Sequence, residues 1–437
     1  MRPPGPPATP FGIARLLLTL VQRHRPPDRF AELARDYPRI ASLGVGKQHV
    51  YLVSHPDLVR QVLVGSSRAV EKGPALRAAG LVLGNGLLTL PNADHKPRRR
   101  LVNPSFHHER MAGYATAMTE AADELDLAWS TLPAGAEVDM AEQMSALTLQ
   151  IVGRALFGAE LGNAAAEVYD ALGRAMAGWE KLMLPGGDRL MKVPLPVFRR
   201  MWAAAEDLDR VVRGLVGRAR GGDDVVSQLL QALPANAVRD EAMTLMLAGH
   251  ETTANALAWA WHLLSEHPEA AARARVELTG TLSTYQDLVR LPWVTACVAE
   301  TLRLYPPAWV LEREVTGELE LDGYLLPVGS IVLTCQYALH RDPRFWDRPD
   351  EFLPERWIGP DGFDEQAPGQ PAGAWFPFGA GTRQCVGELF AWTETVLVLA
   401  RLLPRWAPVS LGRPRLHAAV TLRPHGGLPM RLDRVLD

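Results

Sequence analysis

The chain has 437 residues, 47% of them hydrophobic and 22% charged, an ordinary globular composition with ample material for a core. A net charge of −3 argues against a broad basic surface for nucleic acid. Three cysteines (Cys297, Cys335 and Cys385) without paired spacing argue against a disulfide framework and fit a reducing cytoplasm.

The chain opens on MRPPGPPATPFGIARLLLTLVQRHR, where the Pro-rich residues 1–10 are expected to form a disordered lead-in. LLLTLV is too short to span a bilayer and no cleavage site follows, so neither signal nor anchor is expected and the placement is cytoplasmic. FAELARDY reads as helix and ASLGVGKQHVYLVS as a small hairpin. KGPALRAAGLVLGNGLLTLPNADH is apolar but broken by glycines and does not read as one element. From about 95 to 310 the pattern is helical. Within it, EKLMLPGGDRLMKVPLPVF joins two helices, either as a loop over the core or as a mobile lid over an apolar substrate. Residues 314–335 return to short strands around a DG turn. A Pro-, Gly- and Asp-rich coil (341–375), a helix from about 386 to 404 and a strand-like tail complete the chain. With no repeat and no long linker, the expectation is one domain over 1–437, mainly α with a minor β part.

Four stretches carry chemistry. In FPFGAGTRQCVGELF (376–390), Gly379 and Gly381 permit tight backbone geometry and Gly387 permits close approach to a bulky flat partner. Cys385 stands where a helix begins, so unpaired N–H groups and the helix dipole favour a thiolate. Without CxxC or HxxxH nearby a zinc site is disfavoured. A single thiolate suits a haem iron, and a cysteine nucleophile is the rival reading. Residues 242–264, AMTLMLAGHETTANALAWAWHLL, are apolar on every side, the pattern of a helix through a protein's centre. Its Glu251 needs a partner or a function. Gly249 leaves room for a ligand, and Thr252 can bond back to a preceding carbonyl and open the helix. In VAETLRLYPP, Glu300 and Arg303 share a helix face and alone would read as a surface pair. In HKPRRRLVNPSF, His95 and Arg99 share a face, with Pro97 tolerated in the first turn, while Arg98 and Arg100 read as a solvated face. Cys297 and Cys335 read as buried small hydrophobes.

FPFGAGTRQCVG resembles the haem-binding loop of the cytochrome P-450 superfamily, with Phe378, Gly381, Arg383, Cys385 and Gly387 at its spacing. The resemblance extends over nearly the whole chain, with the main motifs in order. It implies the cytochrome P-450 fold, with haem b (iron protoporphyrin IX) between the long central helix and the cysteine-ligand helix. On that resemblance Cys385 is the axial metal ligand and Phe378 shields its sulfur. His95, Arg99, Arg313 and Arg383 meet the haem propionates, and Ala248 and Gly387 lie against the macrocycle. Glu251 relays protons and Thr252 supplies the hydroxyl beside the oxygen site. Glu300, Arg303 and Arg356 (from PERW) form a structural triad, and ALHRDPRFW is structural as well.

The activity implied is a monooxygenase that inserts one oxygen atom of O2 into a C–H bond of a large apolar substrate. No nucleotide fingerprint or fused reductase is visible, so electrons are expected from a ferredoxin or flavodoxin with an NAD(P)H-dependent reductase. The carrier would dock near Arg98 and Arg100 on a monomeric protein. AGHETT, ETLRLYPPAW and VTLRPHGGLP resemble the bacterial carotenoid β-ring hydroxylases, which makes hydroxylation of a carotenoid β-ionone ring the expected reaction. A fatty-acid or terpenoid hydroxylase is the alternative. A haem-thiolate sensor, or an isomerase without external electrons, is the alternative from another class. The 182–195 loop, with Lys181, Arg189 and Lys192, is expected to touch a membrane peripherally.

Overall fold

The computed structural model describes residues 2–6, 26–44, 49–162, 164–182, 195–219, 222, 224–278, 284–366 and 371–435. Its main helices are α1 (Pro26–Asp36), α2 (Pro74–Leu83), α3 (Asn92–Val102), α4 (His108–Ser130), α5 (Met140–Phe157) and α6 (Ala164–Leu182). They continue with α7 (Pro196–Arg218), α8 (Ala235–Glu266), α9 (Pro268–Glu277), α10 (Pro292–Leu304) and α11 (Glu388–Leu402). The sequence left 72–95 unresolved into elements; it divides into the last residue of a strand, α2, a turn, and the start of α3.

The 32-residue α8 runs through the middle, packed by α5, α7, α10 and α11. Almost every side chain from Glu241 to Leu264 is buried, as an apolar surface on all sides of a helix demands. Trp259 adds a stacked contact on Tyr305, with ring centroids 4.1 Å apart. The helix is continuous through Gly249 and Thr252, so the expected opening is not seen. Gly249 also serves a different purpose from the one expected. A Cβ there would lie 3.2 Å from Val152 Cγ2 and 3.9 Å from Leu156 Cδ1, so the missing side chain admits α5, not a ligand. Helix α5 itself starts where Asp139 caps the Ala141 and Glu142 N–H groups and ends at Gly158, whose φ of 57° no other residue adopts as cheaply.

One sheet holds β1 (Ile40–Ser42), β2 (Val50–Val53), β3 (Val70–Lys72), β5 (Leu311–Val315) and β8 (Ile331–Thr334) in the order β1-β2-β8-β5-β3. Only β2 and β8 pair in parallel within it. The strand β4 (Glu137–Asp139) joins the tail strands β11 (Val409–Ser410) and β14 (Pro429–Arg431). The hairpin β6–β7 (Leu319–Leu321, Tyr324–Leu326) turns at Asp322 and Gly323, both at positive φ, as the DG pair predicts. Strands β9 (Ile358–Gly359) and β10 (Gly362–Phe363) pair, as do β12 (Leu416–Ala418) and β13 (Leu422–Pro424).

Residues 2–6, expected within a disordered lead-in, instead lie on the edge strand β1. Ser42 N–H donates to the Pro4 carbonyl at 2.7 Å, and Arg2 Nε donates to Ser42 Oγ at 2.8 Å. An unpaired strand edge offers hydrogen bonds that such a segment can satisfy. No helix among the described residues is long and apolar enough to cross a membrane.

Candidate active site

The Cys385 loop is built on left-handed glycines. At Gly381 (φ 71°) a Cβ would stand 2.2 Å from the Leu63 carbonyl oxygen, so no other residue fits. Cys385 N–H donates to the Phe378 carbonyl at 2.9 Å, closing the loop just ahead of α11. His340, from ALHRDPRFW, accepts the Phe376 N–H on Nε2 at 3.1 Å and so anchors the loop's start. Cys385 is solvent-exposed in this loop. Desolvation pushes its thiol up to about 11, and the Gly387 N–H and Arg99 partly oppose this. A metal bound there would favour the thiolate.

Beside this loop the fold gathers cations. His95 (α3), Lys72 (β3), Arg313 (β5) and Arg383 converge, Lys72 and Arg313 being cross-strand partners. Burial, then the neighbouring charges, push His95 down to about 3, Lys72 to about 6 and Arg383 to about 10. Arg383 is held by Asn92 Oδ1, Glu71 and the Leu90 carbonyl, yet among the described residues its buried Nη1 has no partner. Basic groups that suppress one another's protonation, with an orphaned guanidinium nitrogen, fit the two carboxylates of a haem, whose charge would restore it. Arg99 is brought to the same place but donates to the Thr382 and Gln384 carbonyls (3.2 and 2.5 Å), bracing the loop. Lys72 escaped the sequence reading. Its three-residue strand, Val-Glu-Lys, carries neither a motif nor an apolar alternation that could have singled it out.

Arg98 is not part of a solvated face. It pairs at 2.6 Å with Glu241, a fully buried carboxylate that also accepts the Leu87 N–H. A buried charge must find a partner, and Arg98 is the nearest one in the fold. Arg100 remains exposed.

On α8, Ala248 and Thr252 stand one turn apart, and the Thr252 hydroxyl donates to the Ala248 carbonyl at 2.6 Å. Glu251, next to it, accepts a 2.6 Å hydrogen bond on Oε1 from Thr421, which lies between β12 and β13. Burial raises the Glu251 carboxyl above the usual range, against the pull of Thr421 and Arg423. Ala79, Val82, Leu172, Met176, Met201 and Leu247 line a small apolar cavity between α2, α6, α7 and α8. The 183–194 segment, with Arg189 and Lys192, lies outside the described residues, so the membrane expectation stays with the sequence.

Farther back, Glu300 is fully buried and accepts from Arg303 (2.7 and 2.8 Å), Arg356 (3.0 Å), the Trp357 indole (2.8 Å) and the Leu353 N–H (2.9 Å). The surface-pair alternative thus gives way to a closed network. Trp357 was missed, although it is the last residue of PERW. Glu394 on α11 was missed as well: it is buried, and burial raises it well above the usual range, with the Thr253 hydroxyl of α8 the one group opposing this among the described residues.

A model of the Cytochrome P-450 family matches residues 3–410. The chain is a cytochrome P-450. It is 37% identical over 427 residues to the cyclooctatin synthase of Streptomyces melanosporofaciens, covering 93% of this chain and 91% of that one. The cyclooctat-9-en-7-ol 5-monooxygenase of the same organism is 34% identical, covering 84% and 82%. A more distant plant relative, LUTEIN DEFICIENT 5 of Arabidopsis thaliana, is 28% identical over 86% of the chain. The crystal structure of the cytochrome P450DA haem domain superposes with a TM-score of 0.85 at 25% identity, covering 99% and 98%. This P-450 is therefore a haem monooxygenase that uses O2, a redox partner and an apolar substrate, which sets the sensor and isomerase readings aside.

Proposed function

We propose that this P-450 hydroxylates a cyclised terpenoid. The observation that carries the reading is the similarity to two Streptomyces oxygenases of cyclooctatin chemistry, at 37% and 34% identity over most of the chain. Carotenoid β-ring hydroxylation is the second reading, supported by the plant relative named for lutein deficiency.

In this reading the bound haem supplies dioxygen activation and the oxidising power. Cys385 Sγ would ligate its iron, with Phe378 in the same loop, and the basic groups His95, Lys72, Arg313 and Arg383 would meet its propionates. Ala248 and Gly387 would give the macrocycle room. The raised Glu251 carboxyl holds its proton at a pH where an exposed glutamate would have lost it, which suits a donor. The Thr252 hydroxyl, beside Glu251, donates to the Ala248 carbonyl. Electrons come from a separate ferredoxin or flavodoxin with its reductase, and Arg100, not Arg98, is available to such a carrier.

The test is electron paramagnetic resonance of the ferric protein titrated with cyclooctat-9-en-7-ol, β-carotene and palmitic acid. A low-spin to high-spin conversion by cyclooctat-9-en-7-ol is expected. Conversion by β-carotene alone selects the second reading, and conversion by palmitic acid alone overturns both.

A further inference from the structure

The C-terminal hairpin β12–β13 touches the acid of α8 at one end and the helix bordering the cavity at the other. Thr421, buried at its tip, donates to Glu251 Oε1 at 2.6 Å and accepts from Asn255 Nδ2 at 3.4 Å. The Asn255 amide nitrogen can only donate, so the one Thr421 proton is committed to Glu251. The acid's own proton is thereby assigned to Oε2. Among the described residues Thr421 is the hydroxyl that fixes this carboxyl. At the other end His417 and Arg423, directly opposed across the two strands, meet one oxygen of Glu180 at 3.1 and 3.2 Å. Glu180 belongs to the last turn of α6 and is itself buried. The hairpin between them has little freedom. Trp309 Nε1 donates to the Ala419 carbonyl (2.9 Å), Leu422 N–H to the Pro307 carbonyl (2.9 Å) and Trp259 Nε1 to the Leu422 carbonyl (3.3 Å).

We propose that Thr421 is a positioning residue for the Glu251 carboxyl, and that Glu180, through His417 and Arg423, ties its position to the end of α6. A three-residue connection between two pinned strands transmits displacement instead of absorbing it. With α6 seated, Thr421 holds Glu251 in one rotamer. With α6 displaced, Glu180 loses its contacts to His417 and Arg423, the hairpin shifts, and the acid is released from Thr421. Proton delivery is thus matched to a closed substrate site, whatever the substrate class. The inference rests on the reading of Glu251 as the proton donor.

The test uses the ferric holoprotein of the parent and of Thr421→Val, Thr421→Ser, Glu180→Gln and Glu251→Gln. The infrared C=O band lost in Glu251→Gln identifies the carboxyl. Thr421→Val, which keeps the shape and removes the hydroxyl, is expected to move that band to higher frequency, and Thr421→Ser to restore it. Thr421→Ala repeats the deletion should valine disturb packing. With cyclooctat-9-en-7-ol, a ferredoxin and its reductase, Thr421→Val and Glu180→Gln are expected to raise peroxide released per NADPH several-fold at unchanged KM. If Glu251→Gln leaves peroxide release unchanged, the donor reading fails. If Glu251→Gln changes it but Thr421→Val leaves band and peroxide at parental values, the positioning role is overturned. A Glu180→Gln protein with parental band and peroxide yield overturns the tie to α6. The infrared arm requires no turnover and decides the hydroxyl's role alone.

Discussion

Glu300 is held below the ordinary carboxylate range, because Arg303, Arg356 and the Leu353 N–H outweigh the burial that opposes ionisation. Glu300→Gln leaves Arg303 as a buried cation without its counter-charge, a change that costs about 3–5 kcal/mol. Calorimetry of the variant is expected to show that loss, together with lower haem content. Glu394 has the opposite sign. Its folded pKa lies well above 4.5, so the unfolded chain releases this proton first. The stability it contributes is complete below about pH 4.5 and is lost as pH rises toward the folded value, at about 1.4 kcal/mol per pH unit. Glu394→Gln is therefore expected to match the parent at pH 4 and to exceed it at pH 8 in urea melts. The two glutamates were not equally legible. Glu300 has Arg303 three residues away, whereas Glu394 sits in an apolar run whose period marks it as buried but cannot reveal that the fold brings it no cation among the described residues.

At the scale of elements, the Cys385 loop and α8 show how backbone demands choose residues. Gly381→Ala meets both a positive φ and a carbonyl 2.2 Å from the new Cβ, whereas the Cβ of Gly387→Ala would find Phe106 at an ordinary 3.6 Å. The first is expected to cost about 1–3 kcal/mol in backbone strain and to abolish haem uptake. The second carries no backbone strain and is expected to keep the parent's stability while crowding the macrocycle, so the melting temperature of the haem-free protein separates the two. The motif spacing in 376–390 was readable because the loop's geometry is local. The purpose of Gly249 was misread because a missing side chain in a helix looks the same whether a ligand or another helix fills the gap. Only the position of Val152 distinguishes them.

For the whole molecule, acid stability follows from histidines buried neutral. Burial lowers His250 to about 4 and His340 to about 3, and His340 needs an unprotonated Nε2 to accept the Phe376 N–H. Both fold with depressed values, so their contribution is intact above pH 6.5 and is lost as pH falls toward the folded values. In that window each adds about 1.4 kcal/mol per pH unit to the slope. Unfolding between pH 6 and 4.5 is expected to take up close to two protons from these sites, and the Tm to fall steeply. Urea melts across this range check the slope, and His250→Asn is expected to reduce it by one proton.

Sequence by itself determined the elements whose determinants are local. These are the central apolar helix, the DG hairpin, the glycine-framed Cys385 loop, the Glu300–Arg303 face and the Thr252 back-bond. Each depends on residues within a turn or two of one another, where helical and strand periods translate directly into shared faces. Tertiary structure alone decided that Arg98 serves Glu241, that Lys72 joins Arg313 and Arg383, and that Thr421 and Glu180 stand at either end of one hairpin. Their partners lie 143 residues apart for Arg98 and Glu241, 170 for Thr421 and Glu251, and 237 for His417 and Glu180. No periodicity reaches that far, and a buried charge reveals only that it needs a partner, not which one the folded chain will bring.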